Sequence, residues 1–165
     1  MRRGLLGFLC AVVLGAALYG GTLLATPSSG FTGTTIAVAR FGEIDVNNFT
    51  IPANLWQARL KTQGLSDVYV QSNVWAPGGS TGWHTHPGHS LILVTAGTVT
   101  AYEGDDPACT PHVYSPGMGF VDPGGDHVHL IRNEASVEAR TVAVQLIPAA
   151  AVRRIDAPAP GNCPF

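Results

Sequence analysis

From Thr34 onward, apolar and polar positions recur with a period of two rather than 3.6, the spacing of chain that shows alternate side chains to opposite faces. Trp56–Lys61 (WQARLK) alternates cleanly and predicts a strand with one buried face. Asp67–Trp75 (DVYVQSNVW) is rich in β-branched and aromatic residues and runs into the breaker Pro77-Gly78-Gly79. Ser90–Thr95 (SLILVT) is almost continuously apolar, which predicts a strand buried on both sides. Gly97 turns the chain into Thr98–Tyr102, and Gly104-Asp105-Asp106-Pro107 marks another turn. Further strands are expected over Gly119–Val121, His127–Arg132 and Arg140–Ile147. No segment after Ala25 carries a helical stripe longer than two turns. Short strands with regular Gly/Pro punctuation predict an all-β sandwich or barrel.

The N-terminus has the opposite pattern. Met1-Arg2-Arg3 is basic, and Gly4–Ala25 is an unbroken apolar run of about 22 residues. A basic start before an apolar stretch is the plan of an export signal, and Ala25-Thr26-Pro27 offers a small-residue exit. The run is also long enough to cross a bilayer, so a membrane anchor formed by residues 4–25 is the alternative. Either way the expected location is secreted or extracytoplasmic. The chain divides into residues 1–25 as signal or anchor helix, 26–49 as leader and first strand, 50–148 as the barrel, and 149–165 as a Pro-rich tail. Within this scheme residues 26–33 (TPSSGFTG) read as a flexible leader.

Charge and cysteine content narrow the function. Without Arg2 and Arg3, Lys plus Arg falls from 9 to 7 against 11 Asp plus Glu, and the formal charge moves from −2 to −4. Such a surface is a poor match for a phosphate backbone, so nucleic acid is not an expected partner. Cys10 lies in the apolar run, leaving Cys109 and Cys163 as an even pair in an exported chain, which predicts a disulfide. Arg153-Arg154 reads as a short exposed basic pair, His112 as a loop residue, and Trp75, Trp83, Tyr69 and Phe120 as core and pocket wall.

Histidines carry the candidate chemistry. His84 and His86 are two apart, as are His127 and His129, and each pair follows a Gly-rich turn. In extended chain such residues face the same side, so two pairs could converge on one ion. Neutral imidazole suits a divalent transition metal such as Mn, Fe, Ni, Cu or Zn.

The spacing of these residues resembles that of the cupin family. Gly78-x5-His84-x-His86-x3-Ser90-x6-Gly97 follows the first cupin motif except that Ser90 stands at the glutamate position. Gly117-x5-Pro123-x-Gly125, then His129-x3-Asn133, follows the second motif with one extra residue before the histidine. The resemblance implies a small jelly-roll β-barrel with a metal in its mouth and a small organic ligand beside it. It implies His84, His86 and His129 as ligands. His127 could replace His129 because of the one-residue slip, and His89, beside Ser90, is a minor candidate. Serine is a short, neutral, poor ligand, so the site is expected either to use three histidines with open positions or to bind an organic ligand alone. No acidic residue is seen to enter the pocket from the motif positions.

Two functions follow from this reading. One is a metal-dependent enzyme of dioxygenase or isomerase type. The other is a non-catalytic barrel that binds a small molecule or a metal at the cell exterior. A structural envelope protein is a weaker third. Cupins often form dimers, so a homodimer is expected, with membrane contact only through an uncleaved N-terminal segment.

Overall fold

A computed structural model describes residues 24–49 and 55–165. Strands β1 (Ser29–Phe41), β2 (Asp45–Phe49), β3 (Gln57–Lys61), β4 (Ser66–Ser80), β5 (His84–Thr85) and β6 (Ser90–Ala96) come first. Strands β7 (Val99–Glu103), β8 (His112–Tyr114), β9 (Gly119–Asp122), β10 (His129–Arg132), β11 (Ala139–Pro148) and β12 (Ile155–Asp156) follow. The described residues contain no helix, and among them no helix is long and apolar enough to cross a membrane. The expected signal or anchor falls almost entirely outside the described residues.

Ten strands form one antiparallel sheet that curls into a nearly closed barrel along the path β12-β5-β10-β4-β11-β6-β9. The long strand β4 organises it. β4 pairs with β1 on one side, from Phe31 opposite Trp75 to Phe41 opposite Ser66, and with β11 on the other, from Ala139 opposite Trp75 to Pro148 opposite Ser66. β2 and β3 form a separate hairpin-like pair.

Alternation puts one face of the central barrel strands inside, as in β6 and β11. Trp75, Ile92, Val94, Val99, Ala101, Ile131 and Ala139 build the main core, with Phe31 and Phe120 packed against it. Truncating a residue such as Trp75, which is 1% exposed, to alanine costs about 3–5 kcal/mol. A second cluster, Trp83, Tyr102, Leu130 and Ala157, lies beneath the C-terminal tail. There the Cys109 and Cys163 sulfurs are 1.92 Å apart in a disulfide that closes a 54-residue separation. In chain-entropy terms a loop of that length stabilises the fold by about 4 kcal/mol. Arg132 and Tyr102 both pack on the Phe165 ring, so the tail is fixed to the barrel wall.

Three expectations are corrected. β6 is not buried on both faces: Ser90, Ile92 and Val94 point in, while Leu91 and Leu93 are about half exposed. Alternation overrides composition, because β6 has only one core to face. β3 likewise buries no face, since its partner is β2 rather than the barrel. The supposed leader is ordered from its start. Thr26 exchanges hydrogen bonds with Ala157 and Trp83, and β1 begins at Ser29, because the unpaired backbone edge of β4 can be satisfied by any chain of suitable length.

Candidate metal centre

Two turns rich in glycine set the site. Gly82 has φ +68°, and a Cβ there would lie 2.3 Å from the Thr26 carbonyl oxygen, so the chain can enter β5 only as glycine. The alternation that follows sends Trp83 into the tail cluster and brings His84 opposite His129 of β10. The second turn, Pro123-Gly124-Gly125, packs on the His86-Pro87-Gly88 segment that follows β5. A Cβ on Gly124 would meet the Gly88 carbonyl oxygen at 2.2 Å, and the Gly125 N–H donates to the His86 carbonyl at 2.7 Å.

The result is a cluster of His84, His86 and His129 whose ligand atoms all lie within 4.8 Å of one another. The ring centroids of His84 and His129 are 4.3 Å apart, and those of His84 and His86 4.8 Å. Hydrogen bonds assign two tautomers. His84 Nδ1–H donates to the Gly82 carbonyl at 2.9 Å, and His86 Nδ1–H donates to the Arg153 carbonyl at 2.5 Å. Both rings therefore keep an Nε2 lone pair for a ligand. His129 Nδ1 is buried without a hydrogen-bond partner. Burial holds all three rings neutral. It pushes His84 down to about 2, with neighbouring His129, Arg154 and His86 adding to the effect, and His129 down to about 4. His86 is also lowered, chiefly by burial. Three close, neutral imidazoles with free lone pairs fit a divalent transition metal.

The cluster opens on a cavity of about 290 Å3, a size for a ligand of few heavy atoms. Phe31, Trp75, Ile92 and Ile131 form its apolar wall, and Gln71, Gln145, Arg153 and Arg154 its polar one. Trp75 is thus both core and pocket wall, and its buried Nε1–H lacks a partner. The reading of Arg153-Arg154 as an exposed pair is corrected, because the tail folds back and carries both into the cavity wall. Arg153 lies over the Tyr69 ring at 4.3 Å and donates to Gln145 Oε1 (3.1 Å), Thr35 Oγ1 (2.9 Å) and Gln71 Oε1. Arg154 donates to Asp156 Oδ1 at 2.5 Å and to the Thr81 carbonyl at 2.7 Å.

The remaining candidates separate. His127 does not join the cluster and does not replace His129. It leaves the turn before β10 begins, and its Nε2 meets Glu103 Oε2 at 2.6 Å. His89 lines a different cavity with Leu60, Lys61 and Leu146. His112 is on β8 rather than in a loop, and exposed. Ser90 is buried at the cavity floor, where its hydroxyl is 3.4 Å from Asp122 Oδ2.

Asp122 is the residue that the motif reading missed. It is 4% exposed, with carboxylate oxygens 3.5 Å from both His86 Nε2 and His129 Nδ1. One signal was available: Asp122 shares parity with Phe120 on β9, so an inward Phe120 requires an inward Asp122.

Comparison with known proteins bears on the fold that carries this site. The profile of the cupin domain family matches residues 73–145. No curated protein sequence matches. Among solved structures, the polyketide cyclase RemF from Streptomyces resistomycificus superposes with a TM-score of 0.51 at 15% identity, covering 87% of this chain and 84% of that one. A cupin superfamily protein from Desulfitobacterium hafniense gives a TM-score of 0.43 at 15% identity, covering 69% and 81%. An oxalate oxidase gives 0.43 at 23% identity over 50% of this chain, which spans only 46% of that protein's length. At 15% identity the likeness to RemF speaks for the fold alone. The family match, the all-β barrel and the two histidine motifs agree: the chain contains a cupin domain.

Proposed function

We propose that the domain holds one divalent transition metal on His84, His86 and His129 and presents it to a small oxygen-bearing anion in the adjoining cavity. The observation that carries this reading is the charge of the cavity wall. Besides the histidines, the ionisable side chains lining it are Arg153 and Arg154. Arg153 is half-buried and held by neutral amides, a hydroxyl and an aromatic face, and burial lowers its affinity for its proton. A guanidinium withdrawn from water in that way is compensated when an anion enters. With three protein ligands, the metal would keep open positions for that anion, where it could act as a Lewis acid or activate dioxygen. The disulfide supports an oxidising compartment outside the cytoplasm.

Metal analysis of untagged protein should find about one equivalent of a transition metal, lost in His84→Ala. Isothermal titration of the loaded protein with mono- and dicarboxylates should then find at least one ligand that binds about tenfold more weakly to Arg153→Gln. Protein that folds without metal and does not respond to His84→Ala would remove the metal reading. Neutral amides binding as tightly as the acids would remove the anion reading. Incubation with dioxygen, followed by product analysis, separates turnover from binding.

A further inference from the structure

The carboxylate that Ser90 lacks is present on the facing strand. Ser90 and Asp122 are register partners on β6 and β9, and both side chains point inward. Directly opposed residues on one face of an antiparallel pair hold their Cβ atoms about 4.5–5.5 Å apart. A carboxylate lost from one member of the pair can therefore be supplied by the other at almost the same place. We infer that Asp122 is the fourth protein ligand of the metal centre, with Ser90 acting as its hydrogen-bond support, an assignment that rests on the three-histidine reading above.

Two observations carry this. The first is a lone-pair conflict. The Nδ1 proton of His86 is committed to the Arg153 carbonyl, so in the neutral ring Nε2 is an acceptor. It faces Asp122 Oδ2, also an acceptor, at 3.5 Å. On the other side the unpartnered His129 Nδ1 faces Asp122 Oδ1, again at 3.5 Å. This separation is long for a hydrogen bond. The separation of His86 Nε2 from Asp122 Oδ2 matches the edge of a coordination tetrahedron whose metal–ligand bonds are about 2.0–2.1 Å, which is roughly 3.4 Å. A cation set between these two atoms turns their facing lone pairs into bonds.

The second is how the carboxylate is held. Asp122 is almost fully buried, and it pairs with no Lys or Arg among the described residues. Its Oδ1 accepts the Gly124 N–H at 2.9 Å, which fixes the rotamer, and Ser90 Oγ–H points to Oδ2 at 3.4 Å. One good hydrogen bond and one long one leave a buried anion short of compensation, which a divalent ion would supply. Ligating carboxylates are commonly hydrogen-bonded in this way by their surroundings.

The test is isothermal titration of Zn(II) into metal-free protein, with circular dichroism to confirm folding, and Co(II) absorption spectra of the same variants. Asp122→Asn and Asp122→Ala should each weaken binding on the order of 100-fold or more, as removal of a ligand does, and change the Co(II) ligand-field bands. Ser90→Ala should weaken it by about tenfold and leave the bands in place, as expected of a supporting residue. The exchange Ser90→Glu with Asp122→Ser should restore affinity to within about tenfold of the parent, and it keeps the idea testable if a single variant folds poorly. Parent protein that binds one equivalent of metal while both Asp122 variants bind equally well would overturn the assignment of Asp122 and leave the three histidines standing. Parent protein that binds no metal would overturn both.

Discussion

The two His-x-His pairs have the same spacing and different fates. His84 and His86 both reach the cavity, whereas His127 and His129 part company: His129 faces His84 across β5 and β10, and His127 turns out to Glu103. The period-of-two rule holds only where both residues are in extended chain. β10 starts at His129, and His127 still belongs to the turn, with its N–H 3.4 Å from the Gly124 carbonyl. The extra residue in the second motif lies within this turn, between Gly125 and His129. The insertion is absorbed before the strand begins, so the clustered histidine of the second motif counts back from Asn133 rather than forward from the glycines.

The largest test of that contrast is metal affinity. His129→Ala should weaken binding of Zn(II) on the order of 100-fold or more, since it removes a ligand from a small donor set. His127→Ala should leave affinity within about threefold, because its ring is engaged by Glu103 outside the cluster. Equal losses from the two variants, measured by competition with a chromophoric chelator, would break the distinction.

What could be read without coordinates follows the same logic. The three clustered histidines and the strands around β4, β6, β10 and β11 depend on local alternation or on spacing within one motif, and the Cys109–Cys163 pairing on the cysteine count. Asp122 depends on register: it matters because it faces Ser90 across β6 and β9, and no single segment carries that information. Arg153 and Arg154 reach the cavity only because the tail folds back, with Ala157 bonded to Trp83 and Cys163 to Cys109. The start of β1, within the residues read as a leader, was hidden for a different reason. It is rich in Ser, Thr and Gly and buries little, and it is a strand because β4 offers backbone partners along its whole length.

Acidity offers a second, smaller separation. Burial holds His129 at about 4 and His84 at about 2, against about 6.5 in the unfolded chain. Below pH 6.5 the unfolded chain therefore takes up protons that the fold refuses. The stability contribution of each ring is fully present above 6.5 and is lost as pH falls toward its folded value. Each ring kept neutral steepens the dependence by up to about 1.4 kcal/mol per pH unit. Urea unfolding of metal-free protein between pH 7.5 and 4.5 should show this slope. It should flatten in His129→Ala and persist in His127→Ala. From folded protein, proton competition for the His129 lone pair should release metal only as pH approaches about 4.

The smallest effect belongs to the pair outside the cluster. His127 and Glu103 approach to 2.6 Å, yet their side chains are 23% and 30% exposed. Water screens such a contact, and ordering two mobile side chains offsets part of the gain. A double-mutant cycle of His127→Ala and Glu103→Ala in urea unfolding should therefore give a coupling of about 0.2–1 kcal/mol. The cycle has a second use. Glu103 opposes His129 in the β7–β10 ladder, so a perturbation passing from this pair into the cluster would travel through that register position. If the contact is only a surface brace, Glu103→Ala will leave Zn(II) affinity unchanged even while the coupling is measurable. A coupling well above 1 kcal/mol, together with a drop in metal affinity, would instead make His127 and Glu103 an outer support of His129, and the two histidine pairs would differ in distance from the metal rather than in kind.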